Sequence, residues 1–242
     1  MNKASRKPFL WSLAIVYAIW WVLMAISPLD RSDWVLENVL VVLAIGLLVF
    51  TYKSFPLSRV SYTCIFVFLM LHTLGSHYTY AKVPYQEWLP FLEGGRNHFD
   101  RLVHFLYGLL LAYPIREMFL RIGNVRGFWG YFLPLDLTMS TSALYELIEW
   151  GAAETFGGDL GAAYLGTQGD VWDAHKDMAL AALGALISML ITAAVNRRMQ
   201  REFERTRVQI REVEESVQRR SPRLPPVEVE PGDAPPAPPT LH

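Results

Sequence analysis

Cysteine and charge are both scarce in most of this chain, and each scarcity excludes something. The single cysteine, Cys64, cannot close an intramolecular disulfide, which argues against a stapled extracellular domain. Inside an apolar run it reads as a buried structural thiol. No internal repeat is convincing. No clean small-x-small cleavage site follows the first apolar run, so that run is expected to be a retained anchor, although Lys3, Arg6 and Lys7 precede it as in a signal peptide. The averages, 52% hydrophobic, 19% charged and a net charge of −1, mix two unlike parts. Residues 9–195 are apolar with sparse charge, while 196–242 are charged and then proline-rich.

What the chain does contain is long apolar runs. About 20 residues at 1.5 Å each cross the hydrocarbon core of a bilayer, so about 18 or more apolar residues read as a membrane helix. Six segments meet or approach that length: Phe9–Ser27, Trp34–Tyr52, Val60–Tyr78, Leu102–Ile122, Phe128–Trp150 and Met178–Val195. The expected fold is all-α, a polytopic membrane protein with a bundle of about six transmembrane helices. Lysine and arginine positions set the orientation. With both termini cytoplasmic, seventeen of the 22 basic residues fall inside, leaving Arg31, Lys82, Arg96, Arg101 and Lys176 outside.

The expected organisation is a cytoplasmic N-terminus over 1–8, a transmembrane domain over 9–195, a charged cytoplasmic helix over 196–220 and a disordered proline-rich tail over 221–242. Phe203, Ile210, Val213 and Val217 form a short heptad-like stripe on the charged helix, with Thr206 between them. Such a stripe suits a partner protein or an anionic lipid surface, and a solvated extension fits it equally. The cytoplasmic connections, Lys53 to Arg59 and Gly123 to Gly127, are short. The outer ones, Ala81 to Asp100 and Gly151 to Asp177, are longer and rich in glycine (Gly94, Gly95, Gly157, Gly158, Gly161, Gly166 and Gly169), and long loops more often carry function.

The unusual feature is a polar layer at the outer ends of the apolar spans. A charge near lipid costs about 2.5–3.5 kcal/mol at a helix centre and less toward the interface. His72 lies about 18 Å and His77 about 26 Å along the third span from Val60. Each alone reads as an interfacial hydrogen-bonding residue. Asp100 and His104 are four apart and share a helix face. Asn97 as a cap and Asp100 at the positive helix end account for the aspartate, but not for His104 behind it. Glu146 and Glu149 are three apart near the expected C-terminal end of the fifth span, where negative charge is disfavoured, and such a pair repels itself unless a cation or proton intervenes. Asp170, Asp173 and Asp177 align at spacings of three and four. Asp170 and Asp173 also suit an ordinary helix start, and His175 and Lys176 would point away from that stripe. Asp136 lies deeper in the fifth span, outside the layer.

Six carboxylates (Asp100, Glu146, Glu149, Asp170, Asp173 and Asp177) against Arg101 and Lys176 is a strong imbalance in a low-dielectric setting. Protonation or a bound metal would offset it. Histidine mixed with carboxylate suits zinc, manganese or iron, so His72, His77, Asp100, His104, Glu146, Glu149, Asp170, Asp173 and Asp177 are the candidate metal ligands. Ligands drawn from four helices match how helical bundles build such sites. The spacing is no named zinc motif.

The same segments carry a resemblance. His72-x-x-Gly75-Ser76-His77-Tyr78-Thr79-Tyr80, Asn97-His98-x-Asp100-Arg101-x-x-His104-Phe105, Tyr145-Glu146-x-x-Glu149-Trp150 and Gly166-Thr167-Gln168-Gly169-Asp170-x-Trp172-Asp173-x-x-x-Asp177-Met178 together resemble the YjdF-like family of bacterial inner-membrane proteins over about residues 10–195. In layout the chain is more distantly similar to VanZ-like membrane proteins. The resemblance implies a multi-pass protein of the bacterial inner membrane and implies no reaction.

Three functions stay open to the sequence. In the first, a metal-dependent enzyme acts from the outer face on a lipid-linked or envelope substrate. Arg101 would bind an anionic head group while Thr167 and Gln168 line the approach. The pattern of phosphatidic-acid-phosphatase-like enzymes is not met, since Gly75-Ser76-His77 has the wrong order. The second is proton- or ion-coupled transport, against which the charges gather at one face. The third is a non-catalytic structural protein with a hydrogen-bonded polar layer. The expected partners are the lipid bilayer, a small lipid-type or envelope substrate and a protein on the C-terminal helix; no nucleic acid is expected.

Overall fold

A computed structural model of the protein describes residues 6–85, 95–156 and 167–220. Six helices follow one another among them: α1 (Arg6–Ala25), α2 (Arg31–Thr51), α3 (Arg59–His77), α4 (Phe99–Arg121), α5 (Trp129–Phe156) and α6 (Asp173–Arg220). All secondary structure among the described residues is helical. Helices α1, α2, α3 and α6 are long and apolar enough to cross a membrane. Helices α4 and α5 carry more polar and charged side chains and fall short on composition alone. The chain divides into two compact units, Met1–Met189 and Leu190–His242.

Within the first unit, α3 is the hub, packed on α1, α2 and α4, while α5 packs on α4. Helix ends are set by local chemistry. Asp30 caps α2, accepting from the backbone N–H groups of Ser32 at 2.8 Å and Asp33 at 3.0 Å. Ser58 caps α3 and is itself held by Glu117 of α4, whose carboxylate accepts from the Ser58 N–H at 2.8 Å and from the Ser61 hydroxyl at 2.5 Å. Helix α1 is tied into the bundle by Tyr17 to Thr73 (3.0 Å), Trp20 to the Met70 carbonyl (3.0 Å) and Trp21 to Asn38 (2.7 Å).

Helices α4 and α6 run parallel at very close approach. A Cβ on Gly108 would collide with the Ala181 carbonyl, and one on Gly184 with the Phe105 carbonyl. Small residues at such a contact let two backbones touch, which is how membrane helices gain packing without a hydrophobic driving force. On α4, Asp100, His104, Gly108 and Ala112 recur every four residues. On α6, Asp173, Asp177, Ala181 and Ala185 do the same and are all buried. The glycine–alanine seam therefore fixes the register that brings Asp177 to His104.

Two boundaries differ from the expectation. Helix α5 runs on to Phe156, so Glu149 sits nearly two turns before its end. The sixth span and the charged segment form one helix with no break at 195, because no glycine, proline or competing cap intervenes. In the second unit, Val208, Ile210, Val213 and Val217 are exposed, and Arg198 with Glu202 (3.1 Å) and Arg211 with Glu215 (3.3 Å) make surface ion pairs at i,i+4. The proline-rich tail over 221–242 and the glycines Gly94, Gly157, Gly158, Gly161 and Gly166 lie outside the described residues.

Candidate functional site

The starts of α2, α4 and α6 and the later turns of α3 and α5 come together at one end of the first unit. At the centre, His104 Nε2 lies 3.7 Å from Asp100 Oδ1 and 3.6 Å from Glu146 Oε1. Neither separation is a hydrogen bond. Asp100, His104 and Asp177 offer ligand atoms that all lie within 4.8 Å of one another. Asp177 is only 2% exposed, yet its Oδ1 has no hydrogen-bond partner, and Glu146 Oε1 is also buried without one. Buried polar atoms normally pair, because an unsatisfied one costs about 1–3 kcal/mol and more when charged. Orphaned oxygens facing an imidazole across a gap are what a cation would fill. The donor set, one imidazole with two or three carboxylates, suits zinc, manganese or iron. The starts of α4 and α6 also direct their positive dipole ends at this cluster. Glu149 is buried beside Glu146.

Asp170 and Asp173 are placed differently. Arg101 Nη2 donates to Asp170 at 2.5 Å and to Asp173 at 3.1 Å, Arg96 donates to Asp173 at 2.5 Å, and Lys176 to Asp170 at 2.5 Å. These two carboxylates are therefore already neutralised by cations, which reduces the charge imbalance expected for the layer. Helix α6 begins at Asp173, so Asp170 stands in the preceding turn rather than on the helix stripe. Lys176 therefore reaches back to it instead of pointing away. The Lys176 ammonium, helped by the Trp172 N–H and Arg101, holds the Asp170 carboxyl well below the usual carboxylate range. His175 turns aside and meets the Trp172 ring at 5.2 Å.

The residues expected to contact substrate form a loop lock. Arg101 is engaged by the two aspartates, and the Thr167 carbonyl accepts from Arg96. Gln168 exchanges two hydrogen bonds with the Asn97 backbone, each 3.0 Å long. Asn97 does cap the start of α4 through the Phe99 N–H at 3.0 Å, although His98 occupies the formal cap position.

His72 and His77 part company. His77 bonds the Met24 carbonyl at 2.8 Å and its own carbonyl accepts from the Leu29 N–H at 3.0 Å, so it fastens the turn between α1 and α2. His72 lies in a second buried chain. The Tyr80 hydroxyl and His72 Nδ1 are 2.5 Å apart, and His72 Nε2 is 3.3 Å from the Glu37 carbonyl and 3.9 Å from its carboxylate. The Tyr145 hydroxyl donates to Glu37 Oε2 at 3.0 Å. Tyr80 reaches back only because Thr79 and Tyr80 both adopt positive φ (54° and 48°), and because Gly75 has no Cβ to strike its ring. Glu37, 2% exposed, escaped the reading of the sequence. Its signal was there: a glutamate one turn inside an apolar span, four residues after Asp33 and next to Asn38.

A family model described as "Predicted membrane protein (DUF2238)" matches residues 9–198. The chain belongs to this family. The inner membrane protein YjdF of Escherichia coli K12 is 38% identical over 209 residues, covering 84% of this chain and 98% of the relative. No solved structure matches. The part matched to DUF2238 includes α1 from Phe9 onward, α2 to α5, the first half of α6 and every residue of both buried polar chains, whereas the exposed stripe of the second unit lies beyond it. The protein is thus a multi-pass membrane protein of the DUF2238 family.

Proposed function

We propose that this inner-membrane protein is a metal-dependent enzyme whose site, at the end of the bundle facing away from the cytosol, acts on a lipid-type or envelope substrate. The observation that carries the reading is the orphaned Asp177 Oδ1, buried opposite His104 and Asp100 in a cluster tight enough for one ion. Asp100, His104 and Asp177 would hold the ion, with Glu146 the next oxygen in reach. The ion would supply Lewis-acid polarisation of a phosphoryl or carbonyl oxygen. Glu149, buried behind Glu146, would position its carboxylate. Arg96, Arg101 and Lys176 would keep the 167–177 segment docked, with Asp170 and Asp173 as their counter-charges. The location rests on the relative's description as an inner membrane protein, and the orientation on the placement of basic residues.

Transport of protons or ions has one feature in its favour, the buried Tyr80–His72–Glu37–Tyr145 chain. That chain stays at the same end of the bundle as the acid cluster, and Asp136, nearer the start of α5, is exposed. A path across the membrane is not laid out by these groups.

Metal analysis of the detergent-purified full-length protein tests the proposal. Stoichiometric zinc, manganese or iron in the wild type, lost in Asp177→Asn and His104→Ala but kept in Glu202→Gln, is the expected result. A wild type that stays metal-free after growth and purification with those metals would overturn it.

A further inference from the structure

A cavity of about 440 Å³ lies between α2, α3, α4 and α5, directly against the acid–imidazole cluster. That volume falls within the ~300–1,000 Å³ of ordinary ligand pockets. Its lining is divided along its length. His72, Asp100 and His104 stand at one end, and the walls run from there between Ala44, Phe68 and Leu111. From Asp100 to Leu111 is about 16 Å along α4. On the side where α2 faces α5, the rim consists of Leu43, Leu47, Leu144 and Ile148, apolar side chains exposed on membrane helices. Among the described residues, the hydrogen bond from Tyr145 to Glu37 bridges that side at its polar end. Ser142, only 2% exposed, also lines the cavity, and its hydroxyl has no hydrogen-bond partner.

We propose that this cavity binds one hydrocarbon chain of a membrane lipid, which enters sideways between α2 and α5 and brings its polar end to His72, Asp100 and His104. A water-borne ligand would have to cross an apolar rim that faces the bilayer. A lipid chain is already dissolved there and exchanges one apolar surrounding for another. The unsatisfied groups mark where the polar part stops: Glu146 and Asp177 around the cluster, and Ser142 on the wall. The inference names the substrate class of the proposed enzyme and rests on that reading for the chemistry, though not for the binding. It also assigns the Tyr145–Glu37 bond the role of a bolt across the entrance.

Photolabelling of the full-length protein in vesicles tests it. One arm uses palmitic acid with a diazirine near its methyl end; the other uses phosphatidylethanolamine carrying the same chain. Labelling is expected on the inner-wall residues Phe68 and Leu111 with one probe or both, and the arm that labels identifies free acid or phospholipid as the source. Filling the cavity from its walls, by Ala44→Phe or Leu111→Trp, should reduce the signal at Phe68 at least about tenfold while bound metal stays. Two independent filling variants guard against one failing to fold, and the wild-type map is decisive by itself. Label confined to outward-facing side chains, or unchanged by both variants, overturns the proposal. Inner-wall labelling of a metal-free wild type would keep the lipid site and discard the metal centre. Metal without inner-wall labelling would do the reverse.

Discussion

At the scale of single residues, the same side chain type carries opposite meanings seven positions apart in the chain. Asp170 is half-buried and surrounded by cations; Asp177 is buried with an oxygen unpaired. The folded-state pKa of Asp170 is depressed, so its contribution to holding the 167–177 segment is present above the ordinary aspartate value of 3.8 and is lost as pH falls below it. Proteolysis of the 167–177 segment should therefore accelerate on acidification below that value in the wild type. In Asp170→Asn it should be fast at neutral pH already and change little with acid. An acid response of equal size in both would show that Asp170 does not hold the segment. Asp170→Asn should also leave bound metal unchanged, in contrast to Asp177→Asn. Much of this was legible beforehand, since Asp100 with His104 and Glu146 with Glu149 are visible as pairs on helix faces. The pairing of Asp170 and Asp173 with Arg96 and Arg101 was not, because those contacts join residues about 70 positions apart. Glu37 was hidden for a different reason: its partners His72 and Tyr80 meet it through a turn with two consecutive left-handed residues, which no periodicity announces.

At the scale of elements, the site depends on a seam of small residues several ångströms away from any charge. Gly108 and Gly184 let α4 and α6 touch, and a side chain at either position meets backbone rather than a flexible neighbour. Gly108→Leu should thus force the helices apart, at a cost of about 3 kcal/mol or more, and remove metal as His104 and Asp177 separate. Gly46→Leu on α2, where nothing lies within 4 Å of the added carbon, should be tolerated. Thermal unfolding in detergent, read with metal content, separates the two. Equal melting temperatures for both variants would refute the seam. Helix number and approximate bounds could be read from apolar run length, because the bilayer imposes one length on every span. The joining of the sixth span to the charged segment could not, since the hydrophobic signal ends at residue 195 while helix propensity does not.

At the scale of the whole molecule, the apolar bundle and the charged extension answer to different solvents. The first buries its polar groups in a bundle whose outer surface is apolar, with Val42, Leu43, Leu47 and Val49 on α2 and Leu144 and Leu147 on α5 exposed. Beyond residue 198, where the family match ends, the chain continues as an exposed, charged helix. Ending the chain after residue 198 should accordingly leave insertion and bound metal intact. We propose the orientation from charge alone: lysine and arginine are retained on the cytoplasmic side, and five of the 22 fall on the side assigned to the acid–imidazole end. With Cys64 replaced by serine, Lys82→Cys and Lys176→Cys should react in intact cells with a membrane-impermeant maleimide, and Lys53→Cys only after lysis. The reverse pattern would turn the cluster toward the cytosol. A substrate reaching the site from outside the cell would then be excluded, while the lateral entrance between α2 and α5, which opens within the membrane, would stand in either orientation.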